Sequence, residues 1–141
     1  MQIDRRTFLE YLGLGYLGMG YLGAVALTPI LVAAQEASGM WGLISKITIL
    51  PGKRDEMIDI LRESAADMPG CLSYVVAKDA ADENTIWVTE VWDSKASHDA
   101  SLSLPAVKNA MPRGKPLVSN FERIAVTSPV WGVGLPAGKG H

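Results

Sequence analysis

Two Pro-Gly pairs, Pro51-Gly52 and Pro69-Gly70, punctuate the chain more strongly than anything else in it. Proline stops a strand ladder or a helix, and glycine supplies turn backbone, so each pair separates one element from the next. Before the first pair, residues 43–50 (LISKITIL) are rich in β-branched side chains and read as a strand. Between the pairs, residues 53–67 place Met57, Ile60, Leu61, Ser64 and Ala65 at helical spacing, with Met68 next in line and charges opposite. That pattern is an amphipathic helix. After the second pair come two strands, residues 71–78 (CLSYVVAK) and 85–92 (TIWVTEVW), joined by a polar loop that makes them a hairpin. Ser94 is a suitable N-cap for a second helix from Lys95 to about Leu104, where Pro105 either ends it or starts another turn over residues 106–111. A last strand falls around residues 121–126, and the Pro- and Gly-containing tail from Ser128 is expected to be irregular.

The order β-α-β-β-α-β predicts an α+β, ferredoxin-like fold: one four-stranded antiparallel sheet with both helices on one face. The other face is then uncovered. In the first strand Leu43, Ile47 and Ile49 share one side, while Ile44 and Leu50 lie on the other, so neither side is purely polar. A homodimer packed sheet to sheet is the expected solution for a chain this small.

The N-terminal segment reads differently. YLGxG repeats almost three times between Tyr11 and Gly23, within an uncharged stretch from Tyr11 to Ala34. Asp4-Arg5-Arg6-Thr7-Phe8-Leu9-Glu10 precedes it, and a small-residue site at Val32-Ala33-Ala34 follows. A charged region, an apolar region and a small-x-small site form a signal peptide. The arginine pair followed by x-Phe-Leu resembles the twin-arginine (Tat) export signal, from which Asp4 and Glu10 depart. The stretch is also long enough for a membrane anchor, but a five-residue period advances about 140° per repeat, so no stripe forms for helix pairing. The expected organisation is a Tat-type signal over residues 1–34 and one domain over 35–141, with a core of about 42–127. The resemblance implies a periplasmic or secreted protein handled by the Tat machinery, with membrane contact only through an uncleaved signal.

Charge and cysteine content narrow the function. The formal net charge is -2, and it is unchanged without the leader because Arg5 and Arg6 balance Asp4 and Glu10. No basic stripe is present to neutralise phosphates, so nucleic acid is not an expected partner. The single Cys71 excludes an intrachain disulfide and reads as a small buried hydrophobe. No grouping of Cys, His and carboxylates suggests a metal.

Residues 90–102 (EVWDSKASHDASL), followed by Leu104-Pro105-Ala106-Val107, resemble the antibiotic biosynthesis monooxygenase family of dimeric α+β barrels. Its members show Glu-x-Trp-Asp/Glu ending the third strand, then a helix with a histidine and a turn of the form Ser/Leu-x-x-Pro-x-Val. The Pro-Gly after strand one and Met68-Pro69-Gly70-Cys71 fit as well, and the likeness spans residues 43–121. It implies an apolar pocket between sheet and helices, and oxidation of a quinol or phenolic aromatic by O2 without metal, flavin or haem. Such chemistry needs a base near neutral pKa and hydrogen-bond donors in a water-poor cavity.

On that reading His98 is the base, and Trp92, Tyr74, Ser101, Glu90 and Phe121 are the substrate-binding set. Many relatives carry their pocket histidine one turn later, where Ser101 stands here, although i and i+3 share a helix face. Each residue has a plainer reading: His98 covering the sheet, Glu90 as a structural strand-end partner, Trp87 as core or dimer interface, the methionines as fillers. Two other classes remain open. Haem-degrading oxygenases share the fold, but carry Asn at the position of Ser45 and their axial His near Leu102. A non-catalytic binder or an isomerase is equally compatible with the fold.

Overall fold

β-Branched and aromatic side chains from Trp41 onward build the central strand of the sheet. The structure is a computed structural model that describes residues 39–136. The expected signal peptide and His141 lie outside the described residues. In chain order the elements are β1 (Trp41–Ile49), α1 (Arg54–Ser64), β2 (Cys71–Lys78), β3 (Thr85–Trp92), α2 (Lys95–Ser101), α3 (Pro105–Gly114), a 3-10 turn (Lys115–Leu117) and β4 (Val118–Thr127). The strands form one antiparallel sheet in the order β2-β3-β1-β4, with the helices on one face. This is the expected ferredoxin-like arrangement.

Register sets which side chains meet. Ile47 of β1 lies opposite Ile86 on one side and Phe121 on the other, while Val88 lies opposite Val76. These inward residues pack on Met57 and Ile60 of α1, Ala110 of α3, and Leu117. Fully burying an aliphatic side chain of this size contributes roughly 1.5–3 kcal/mol, so this layer is the main source of stability. The outward face carries Val75 and Ile124, each about half exposed at 52% and 48%. Trp87 also lies on this side, opposite Lys46, and not in the core. Its indole N–H donates to Asp79 Oδ2 at 2.7 Å, tying β3 to the hairpin loop. That bond, with two backbone N–H donors, holds the Asp79 carboxyl down at about 2.

Several boundaries differ from the expected ones, and β4 is longer than expected, running from Val118 to Thr127. β1 begins at Trp41, because Gly42 continues the ladder opposite Val91 and Thr127. α1 ends at Ser64, whose hydroxyl bonds back to the Leu61 carbonyl at 2.8 Å, so Met68 falls in the following turn. The second helical region is two helices: Leu104 takes an extended ψ of 140 before Pro105, the conformation favoured before proline, and α3 starts there. α3 then runs through Pro112 to Gly114, which backs onto Met57 of α1.

Gly70 places α2 against the start of β2. Its φ is +82, and a Cβ there would lie 2.5 Å from both Cβ and Oγ of Ser97. The backbone carbonyl of Gly70 also accepts the Asp93 N–H at 2.9 Å. Gly70→Ala therefore meets left-handed backbone strain and a steric clash together. The expected cost is about 2–3 kcal/mol by urea unfolding, and an effect below about 0.5 kcal/mol would mean that the turn relaxes freely.

Candidate functional site

Only Asp93 and Ser94 separate β3 from α2, so the helix folds back over the strand end. Ser94 caps it as expected: its side-chain oxygen accepts the Ser97 N–H at 3.1 Å. One turn in, this brings His98 down onto Trp92 and Glu90. Register adds a third ring, because Trp41 lies directly opposite Trp92 on the same face. The imidazole is 4.5 Å from the Trp41 ring centroid and 5.5 Å, edge to face, from that of Trp92. His98 is only 5% exposed and Trp92 1%.

The polar atoms around the imidazole are few. His98 Nε2 lies 3.9 Å from Glu90 Oε2, too far for a hydrogen bond. Trp92 Nε1–H donates to that same Glu90 oxygen at 2.9 Å. His98 Nδ1 is 3.0 Å from Asp99 Oδ1. The Ser101 hydroxyl donates to the His98 carbonyl at 2.6 Å, which fixes the turn that carries the ring.

A cavity opens beside this group, between the sheet and the helices. Its volume is about 120 Å³. Its walls are mainly apolar, Met57, Leu61, Met111 and Phe121 among them, and Glu90, His98, Ser101, Ser64, Tyr74 and Lys115 also line it. All six residues singled out from the sequence, His98, Trp92, Tyr74, Ser101, Glu90 and Phe121, line this one cavity. Met68 does too, although it lies beyond the helix to which its spacing pointed. The sequence reading missed Trp41 and Asp99. Trp41 was detectable from its parity with Leu43 had the strand been extended across Gly42; Asp99 touches its own neighbour, which no periodicity reports.

Burial pushes the Glu90 carboxyl above its ordinary 4.5, against the opposing effects of the Trp92 hydrogen bond and the nearby His98 and Arg123. The folded state thus holds this proton more tightly than the unfolded chain does. Its stabilising contribution is whole below pH 4.5 and is lost as pH rises through the raised folded value. Urea-unfolding free energy is therefore expected to decline as pH rises above 4.5 more steeply in the wild type than in Glu90→Gln, which keeps an oxygen for Trp92. Equal slopes would show that Glu90 does not titrate abnormally. The Cys71 thiol is also pushed up, first by burial and then by the Glu90 charge, with its bond to the Ser73 carbonyl opposing, so it stays protonated at neutral pH. Among the described residues, no three His, Cys, Asp or Glu side chains converge as metal ligands, and no helix is long and apolar enough to cross a membrane.

A four-stranded ferredoxin-like sheet with a largely apolar pocket under its helices, lined also by one buried histidine, defines a small α+β class of protein. Residues 40–113 match the profile described as Antibiotic biosynthesis monooxygenase, and the chain belongs to that family. A crystal structure from Chloroflexus aurantiacus J-10-fl, a protein assigned to the same family, is similar at 55% identity and a TM-score of 0.64. The match covers 66% of this chain and 95% of that one. Family proteins from Caulobacter crescentus CB15 (22% identity, TM-score 0.56, 66% and 92% coverage) and Nitrosomonas europaea (12%, 0.62, 70% and 94%) share the fold. No curated protein matches the chain.

Proposed function

We propose that the protein is a monooxygenase that oxidises a quinol or phenolic aromatic with O2 and no bound cofactor, with His98 as the base. The observation that carries this reading is one buried imidazole 3.9 Å from one buried carboxyl, both lining a largely apolar cavity. The 3.9 Å gap between Nε2 and Glu90 Oε2 leaves room for a hydroxyl oxygen at about 2.8 Å from each. His98 takes the hydroxyl proton, and the resulting aryloxide is electron-rich enough to reduce O2. Glu90, held toward its protonated form, donates to the reduced oxygen beside the buried imidazole. For a hydroquinone the balance is one O2 consumed, one oxygen atom entering the ring to give a hydroxyquinone, and the other leaving as water.

Cavity size narrows the substrate. A dry cavity of roughly 150 Å³ accommodates one benzene, so this one suits a single ring whose substituents leave through the open mouth. The uncovered sheet face favours a homodimer, and the twin-arginine resemblance favours export, where membrane quinols and exogenous phenols are accessible. Oxygen uptake with a panel of one-ring quinols and phenols tests the reading. Substrate-dependent consumption by colourless protein is the expected result. Rearrangement of a panel compound without O2 consumption would replace it with an isomerase, and tight binding without turnover would replace it with a carrier.

A further inference from the structure

The imidazole of His98 has two different ends. Nε2 faces the cavity and Glu90, while Nδ1 faces outward to Asp99 Oδ1 at 3.0 Å. A neutral imidazole has one N–H and one lone pair, and the hydrogen bond at one nitrogen decides which the other presents. If Nε2 carried the proton, the Nδ1 lone pair would point at a carboxylate oxygen 3.0 Å away, and the Nε2–H would point at Glu90 Oε2 across 3.9 Å without forming a bond. If Nδ1 carries it, the N–H donates to a charged acceptor and the Nε2 lone pair points into the cavity.

Asp99 is itself held in place. Lys95 Nζ sits 2.5 Å from its other oxygen, Oδ2, one helical turn back. Partial burial works to raise the Asp99 pKa, but the hydrogen bonds from Lys95 and His98 outweigh it and keep the carboxylate charged. Its side chain is about half exposed (51%), whereas that of His98 is sealed at 6%. Asp99 is thus also the polar atom set through which the buried ring meets the solvent side of α2.

We infer that Asp99 is a positioning residue that locks His98 in the Nδ1–H form, so that the basic nitrogen faces the cavity. The tautomer is independent of what the cavity binds. Its consequence for turnover rests on the function proposed above.

Nitrogen-15 NMR of the full chain, at a pH where the ring is neutral, reads the tautomer directly. The wild type is expected to hold the Nδ1–H form in roughly tenfold or greater excess, since a charge-assisted bond has about twice the strength of a neutral one. Asp99→Ala is expected to lose that excess, because free histidine in water favours the Nε2–H form. Lys95→Ala removes the outer ion pair and leaves the imidazole contact, so it is expected to keep the wild-type ratio. An Nε2–H wild type, or an Asp99→Ala protein with an unchanged ratio, overturns the assignment whether or not any panel compound is oxidised. With an oxidised compound in hand, Asp99→Ala is expected to lower kcat roughly tenfold with little change in KM. A changed tautomer with unchanged kcat would overturn the role in turnover while leaving the proposed function standing.

Discussion

His98→Ala is expected to lower kcat for the oxidised aromatic by about 10²–10⁴-fold, the usual contribution of a positioned general base. KM should change far less, because the apolar walls that hold the ring come from α1, α3 and the sheet and not from the imidazole. The substitution empties a volume between the Trp41 and Trp92 rings, so a modest loss of stability accompanies it, about 1–2 kcal/mol. Circular dichroism and urea unfolding separate that loss from the kinetic one. The vacated space also permits rescue: added imidazole is expected to restore part of the rate, as it could not if His98 only covered the sheet. Undiminished turnover in the alanine variant would remove His98 as the base.

Trp92→Ala is expected to have the largest effect on folding. Trp92 is the largest of the fully buried side chains, packs against His98, and sits opposite both Cys71 and Trp41 in the sheet. Truncating a buried aromatic to alanine costs about 3–5 kcal/mol. Here it also leaves Glu90 without its indole donor, and a stranded buried acceptor adds to the cost. For a domain of about 100 residues, 4 kcal/mol corresponds to a fall of roughly 15–30 °C in Tm. Trp92→Phe separates the two causes, since it keeps most of the ring volume and loses only the N–H. Its expected cost is about 1–3 kcal/mol, with the Glu90 carboxyl pushed further up. Equal losses in the two variants would assign the whole effect to the hydrogen bond.

Much of this architecture was legible in the sequence because punctuation and periodicity agree. β2 and β3 have the bounds that Pro69-Gly70, the acidic loop and Ser94 impose. Glu90 and Trp92 lie inward on β3, and His98 and Ser101 of α2 line the same cavity, as strand alternation and i, i+3 helix spacing place them. What could not be read came from tertiary context. Gly42 stands just before the strand-forming run from Leu43, yet the ladder continues across it, which hid Trp41. Met68 lines the cavity from a turn, where helical spacing has no meaning. Asp99 acts on the residue next to it in the chain, and sequence-pattern rules look three or four positions away. The split at Pro105 was one of two readings of the same signal, and it was resolved by the extended backbone of Leu104.

The most direct test is the fate of oxygen in a single turnover mixture. With ¹⁸O2 and a one-ring quinol, mass spectrometry of the product is expected to show one labelled oxygen atom per ring, with the second label in water and no peroxide released. An oxidised but unlabelled product accompanied by hydrogen peroxide would make the protein an oxidase at most, and would contradict the monooxygenase reading.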